Sequence, residues 1–172
     1  MNSILRNETR MGFYGTVFGA WGIVALYAFL HDQYLVHISP EHFTVYHPNP
    51  LEIENAHLLA AYLAFVASIS PGFVLGVSLY LVGRFGRAPR IPVKRLLQSV
   101  CILVGITEIM SLLSLGFAAL TRSKLYPSWL YPVDDYSLVC SQTVQLTAYF
   151  VGFVGSGVLL WITRRKRFEM KA

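Results

Sequence analysis

The chain has 172 residues, 55% hydrophobic and 13% charged, with a formal net charge of +5 and a mean hydropathy of +0.52. Soluble domains carry about 25% charged residues, so this composition argues against a water-soluble globule and for a membrane protein. The excess of basic residues gathers beside the apolar runs, which marks topology rather than nucleic-acid binding.

Crossing a bilayer takes about 20 mostly apolar residues. Four stretches reach that length, at 11–30, 57–83, 96–120 and 143–163. Four soluble core helices would leave too little polar surface to cover them. The first stretch, "MGFYGTVFGAWGIVALYAFL", follows Arg6 and Arg10 and has the look of a signal sequence. A cleaved signal has a shorter apolar core and a small-x-small cleavage site. This run is full length and ends in Phe29-Leu30-His31-Asp32, so it reads as a retained span.

The outer loop at 31–56 contains His31, His37, His42 and His47 but no Lys or Arg, and His57 follows it. "YLVHISPEHFTVYH" fits two local structures. One is a short β-hairpin turning at Ser39-Pro40-Glu41-His42. The other is a short helix capped by Ser39, with Pro40 as its first residue. The β-branched residues and the alternation favour the hairpin. In "NPLE", Asn49 fits a helix cap, Pro50 the first helical position and Glu52 the third. The second span is thus predicted to begin about two turns before the membrane. Glu54 and His57 would then share one helix face.

On this reading His31 and Asp32 end the first span at the level where Glu54 and His57 begin the second. The four residues form a candidate metal site, because imidazoles and carboxylates suit zinc, iron or copper. Haem held by two of the histidines is a weaker alternative. The plain alternative is a polar cap in which these groups bond to one another and to loop backbone.

In the second span Ala60, Ala64, Ser68, Gly72 and Gly76 recur every four residues. Small residues on one face let membrane helices approach closely. Gly15 and Gly19 in the first span, and Ala148, Gly152 and Ser156 in the fourth, are read the same way. These faces serve packing within the bundle or contact with a second copy. Pro71 is expected to kink the second span.

A basic, turn-rich loop carrying Arg84, Arg87, Arg90, Lys94 and Arg95 leads into the third span. There Glu108 lies near the bilayer centre, where such a charge costs about 2.5–3.5 kcal/mol on insertion scales. It must face the interior, be protonated or find a hydrogen-bond partner. Thr107, Ser111 and Ser114 are near in sequence, and Gln145 and Tyr149 match it in depth. A proton or cation relay and a structural interhelical contact are the two readings, and the contact is favoured. Cys101 and Cys140 lie too far apart along the bundle to form a disulfide.

The second outer loop, 121–142, holds Tyr126, Trp129, Tyr131 and Tyr136, aromatic residues suited to the membrane–water interface. The fourth span ends at Arg164, Arg165, Lys166 and Arg167, followed by Lys171. Twelve of the fourteen Lys and Arg residues fall on one side of this topology, and only Arg122 and Lys124 on the other. The positive-inside rule therefore puts both termini in the cytoplasm. No Gly-x-Ser-x-Gly, phosphate-binding loop or His-Glu-x-x-His is present.

"HDQYLVHISPEHFTVYHP", with "AYFVGFVGSGVLLW" in the fourth span, resembles an uncharacterised family of small four-span bacterial integral membrane proteins. The matching residues are His31-Asp32-Gln33, Pro40-Glu41-His42-Phe43-Thr44, His47-Pro48, Tyr149 and Gly152-Phe153. His42 stands at that family's tyrosine position, and Gln145 where its last span has a histidine. The resemblance implies the four-span topology and draws attention to the outer loop, but it implies no reaction.

The expected molecule is an all-α membrane protein: a single antiparallel four-helix bundle with a small ordered outer cap, in the bacterial cytoplasmic membrane. Its expected role is a non-catalytic accessory or interaction subunit, partnered by the bilayer and by a membrane protein or a second copy. The alternative is proton- or ion-coupled transport, or a metal- or haem-binding redox component, using Glu108 or the His31/Asp32/Glu54/His57 cap. A membrane-embedded enzyme with its site in the cap is the third reading.

Overall fold

The computed structural model describes residues 10–86 and 88–169. The basic positions Arg6, Arg87 and Lys171 lie outside the described residues. Four long helices form the bundle: α1 (Arg10–Ile38), α3 (Ala56–Gly83), α4 (Val93–Thr121) and α5 (Tyr136–Glu169). A four-residue helix, α2 (Glu41–Thr44), lies between α1 and α3, and a 3-10 turn at Ser128–Leu130 precedes α5. All four long helices are long and apolar enough to cross a membrane. The chain is therefore a multi-pass, all-α membrane protein.

The helices overrun the apolar stretches. At 1.5 Å per residue, the 34 residues of α5 extend about 51 Å, against a hydrocarbon core of about 30 Å. Most consequential is α1. Its apolar run stops at Leu30, but its helix continues to Ile38. His31 and Asp32 are therefore buried inside a helix, rather than marking its end.

α1 packs most extensively on α3, and α4 on α5. The α1–α3 seam depends on the small residues of α3. A Cβ added at Gly76 would stand 2.8 Å from Val17 Cα and Val17 O, and one at Gly72 would stand 2.9 Å from Trp21 Cα. The obstacle is backbone, which cannot swing aside. Farther along the same row, Ser68, Ala64 and Ala60 are fully buried. Ala60 joins Leu35, Val36, Phe43, Leu59 and Val144 in an apolar cluster shared by α1, α2, α3 and α5.

Gly15 and Gly19 face α4 instead, against Val93 and Leu97. In α5 the expected row fails after Ala148, which is buried. Gly152 has nothing within 4 Å of its Cβ position, and the close approach falls at Gly155, against Leu103. Ser156 is half-buried and bonds its own helix at Gly152 O (2.7 Å). Each four-residue step advances about 400° around a helix, so a strict four-residue row drifts about 40° per step. A step of seven, from Ala148 to Gly155, drifts less. Pro71 lies inside α3 without ending it.

At the basic end, Arg167 is buried and holds the α3–α4 loop. Its guanidinium donates to the carbonyls of Val82 (3.0 Å), Ala88 (3.1 Å) and Pro89 (2.9 Å). One of these is a terminal carbonyl of α3, which has no partner within its own helix. The basic flank thus contains at least one structural residue.

Gly76→Leu is expected to cost about 1–3 kcal/mol through overpacking. Gly157→Leu, at a glycine with nothing within 4 Å, is expected to cost little. Thermal unfolding of the two variants in detergent checks the contrast.

Candidate functional site: a buried His–Glu pair between two helices

The register of α1 on α4 decides the site. Gly15 and Gly19 meet Val93 and Leu97, so positions differing by 78 lie at one level. Continuing along both helices, His31 arrives beside Glu108. The His31 Nδ1 to Glu108 Oε2 distance is 2.9 Å, with the side chains 3% and 28% exposed.

Two tyrosines of α1 complete the group. Tyr27 lies four residues before His31 and Tyr34 three after, which puts all three on one helix face. Each hydroxyl is 3.2 Å from His31 Nδ1, and both also reach the Glu108 carboxyl. One assignment satisfies the contacts that meet at the carboxylate. His31 donates Nδ1–H to Glu108 Oε2, and both tyrosine hydroxyls donate to the same carboxylate, which has about four lone-pair sites. That leaves His31 Nε2 as the ring's accepting nitrogen. It is buried without a partner. Asp32, the next residue, is buried as well.

The expected metal cap is not what forms. His31 turns to Glu108, and Glu54 is an exposed loop residue outside any helix. His57 is exposed at the start of α3 and donates from Nδ1 to Gln33 Oε1 (3.0 Å), while Gln33 Nε2 donates to the His57 carbonyl (3.1 Å). The His37 ring lies beside that of His57, tilted at 57° with centroids 4.9 Å apart. Among the described residues, no group of three or more His, Cys, Asp or Glu side chains is placed to hold a metal ion. The structure does not bring His31, Asp32, Glu54 and His57 together: the long α1 carries His31 into the bundle, away from Glu54 and His57.

The start of α3 is corrected for a related reason. Asn49 does not cap it. Its side chain clasps Ile53, accepting from the Ile53 N–H (2.9 Å) and donating to the Ile53 carbonyl (3.0 Å). The true cap is Asn55, which accepts from the Leu58 N–H at 3.1 Å. Glu54 and His57 therefore do not share a helix face.

The segment after α1 is helical, with no strand among the described residues, but Pro40 rather than Ser39 holds the cap position and no side chain caps the helix. α2 drives Phe43 into the apolar cluster, and His42 is buried with it. His47 folds back, donating from Nδ1 to the His42 carbonyl at 2.7 Å. In the second loop, Tyr126 and Tyr131 turn inward and bond Thr147 and Thr143 of α5, both at 2.9 Å, while Trp129 stays exposed. Gln145 and Tyr149 bond each other (2.7 Å) rather than extending the Glu108 group.

Tyr27 and Tyr34 went unnoticed in the sequence, although their spacing around His31 was a usable signal. The pairing of His31 with Glu108 was not legible, because it depends on interhelical register.

Burial pushes the His42 imidazole down to about 4 from an ordinary 6.5, and the nearby His47 and His31 add to the effect. A neutral buried histidine binds fewer protons folded than unfolded between those pH values. Stability therefore falls as pH drops from 6.5 towards 4 and levels off below, by about 3 kcal/mol in all at 1.36 kcal/mol per unit. Unfolding in detergent at pH 7.5 and 4.5 should show this loss, and His42→Phe should reduce it. Set against known proteins, the chain matches no family model, no curated protein and no solved structure.

Proposed function

We propose that this chain is a proton-translocating component of the bacterial cytoplasmic membrane, with the His31–Glu108 pair as its proton site. The observation that carries the reading is the 2.9 Å contact between an imidazole and a carboxyl near the midpoint of a membrane-spanning helix. Ionisable groups at that depth are costly, and where they persist they pair and commonly mark ion or proton pathways. Imidazole binds and releases a proton near neutral pH, and a carboxylate beside it is a proton acceptor. Two tyrosine hydroxyls hold the pair in hydrogen-bonding geometry whichever partner has the proton. The bias of basic residues supports cytoplasmic termini, and the resemblance to small bacterial four-span proteins belongs to the same proposal.

A second reading, an interaction subunit, draws on one feature of α4. Glu108 keeps 28% exposure, and Gly105 and Gly116 on the same helix have open space at their Cβ positions. A second copy or another membrane protein could pack there. Cys101 is exposed on α4 and reports on such contact directly.

The full-length protein in vesicles bearing an imposed pH gradient should dissipate the gradient, read with an internal pH dye. Glu108→Gln and His31→Leu should slow the dissipation at least about a hundredfold, the low end of what a positioned proton-transfer group contributes. Wild-type vesicles that hold the gradient as long as empty ones overturn translocation. Cross-linking through Cys101 in mild detergent is expected if the interaction reading holds, and a wholly monomeric product counts against self-association.

A further inference from the structure

Tyr27 and Tyr34 touch the His31–Glu108 pair alike but stand on opposite sides of it. Each hydroxyl is 3.2 Å from His31 Nδ1, and each reaches the Glu108 carboxyl. Along α1, Tyr34 follows His31 by three residues, towards the loop that holds α2. Tyr27 precedes it by four, towards the basic end. Equal contacts in unequal places separate what a hydroxyl does by bonding from what it does by position.

The two positions differ in what lies beyond them. The pair sits near the middle of α4 but near the end of α1, because α1 stops at Ile38 while α4 runs on to Thr121. At 1.5 Å per residue, Tyr34 is about 6 Å from that end, and Tyr27 is about 26 Å from the start of α1 at Arg10. Gln33, beside Tyr34, already bonds His57, which is exposed at the start of α3. Tyr34 is half-buried at the edge of the apolar cluster to which α2 and α5 bring Phe43 and Val144. The titratable groups around its hydroxyl are Tyr27, His31 and Asp32 of α1 and Glu108 of α4, and Tyr62 of α3 packs against the same cluster. On the other side of the pair, the turn of α1 before Tyr27 enters a second apolar cluster. There Ala20, Ile23 and Val24 of α1 join Leu79 of α3 and Val100 and Leu103 of α4. None of those side chains can take up or pass on a proton.

We infer that the pair exchanges its proton with the face bearing the α1–α3 loop, through the Tyr34 hydroxyl, while the apolar cluster before Tyr27 closes the basic face. A proton from water at the loop face bonds to Tyr34 Oη as the hydroxyl's own proton passes to the Glu108 carboxylate. One O–H bond forms at Tyr34 and one breaks, so the tyrosine ends neutral. The carboxylate becomes a carboxyl, and His31 keeps its Nδ1 proton. Release to the same face is the reverse. Passage to the basic face requires the apolar cluster to part, so the arrangement described is the state open to the loop face. The inference rests on the reading of the pair as a proton site.

The test follows Glu108 protonation after a rapid acid jump, using the full chain in lipid nanodiscs. The readout is the infrared carboxyl band, identified as the one absent in Glu108→Gln. Tyr34→Phe should slow the appearance of that band on the order of a hundredfold relative to Tyr27→Phe, which removes a hydroxyl at the same distance from Nδ1. A merely structural role moves both variants alike. Tyr34→Leu and Tyr27→Leu serve as the pair if a phenylalanine variant does not fold. Equal rates in the two variants, or a slower rate in the Tyr27 variant, overturn the loop-face relay while leaving the proton site standing. A wild-type protein whose Glu108 band never titrates overturns the proton site itself.

Discussion

A carboxyl group near the middle of a membrane-spanning helix is the constraint on which the remaining structure depends. Glu108 cannot be hydrated there, so its hydrogen bonds must come from protein. It receives them from α1, through His31, Tyr27 and Tyr34. An unpaired charge in hydrocarbon costs about 2.5–3.5 kcal/mol or more. The polar turns of α1 beyond Leu30 are tolerated within the bundle because this cluster uses one of their groups.

Packing makes the contact precise. Gly15 and Gly19 allow α1 to lie against Val93 and Leu97, and that register brings His31 to Glu108. On its other side α1 is fixed by α3, where Gly72 and Gly76 admit the backbone of Trp21 and Val17. One helix is therefore held in two seams. A shift of either seam by one turn, about 5.4 Å, would separate imidazole from carboxyl. Apolar association in lipid has no hydrophobic drive, so close approach and the polar pair reinforce one another.

The loop ends of the bundle are ordered by side chains that satisfy backbone or bury apolar groups. At the basic end Arg167 holds the carbonyls of the α3–α4 loop. At the opposite end Asp135 caps α5 through the Leu138 N–H at 3.0 Å, Tyr126 and Tyr131 fasten the second loop to α5, and α2 seats Phe43. The histidines of the first loop divide by depth: His37 and His57 at the exposed surface, His47 half-buried and His42 buried.

The number of spans, the all-α class and the asymmetry of basic residues were legible in the sequence, because hydropathy and charge are local properties of each stretch. The need of Glu108 for a partner was legible too, as were the small residues of α3. The identity of that partner was not. His31 and Glu108 are 77 positions apart, and local patterns assigned His31 to a loop-level site with His57. The end of the apolar run was mistaken for the end of the helix, although a helix continues wherever neighbouring helices satisfy its polar side chains. The segment from Tyr34 to His47 carried both hairpin and helix signals, and burial of Phe43 against α3 and α5 resolved them in favour of helix. Sequence alone determined what must be buried and what must be paired. Which groups meet was decided by interhelical register, which arises only when two distant helices pack.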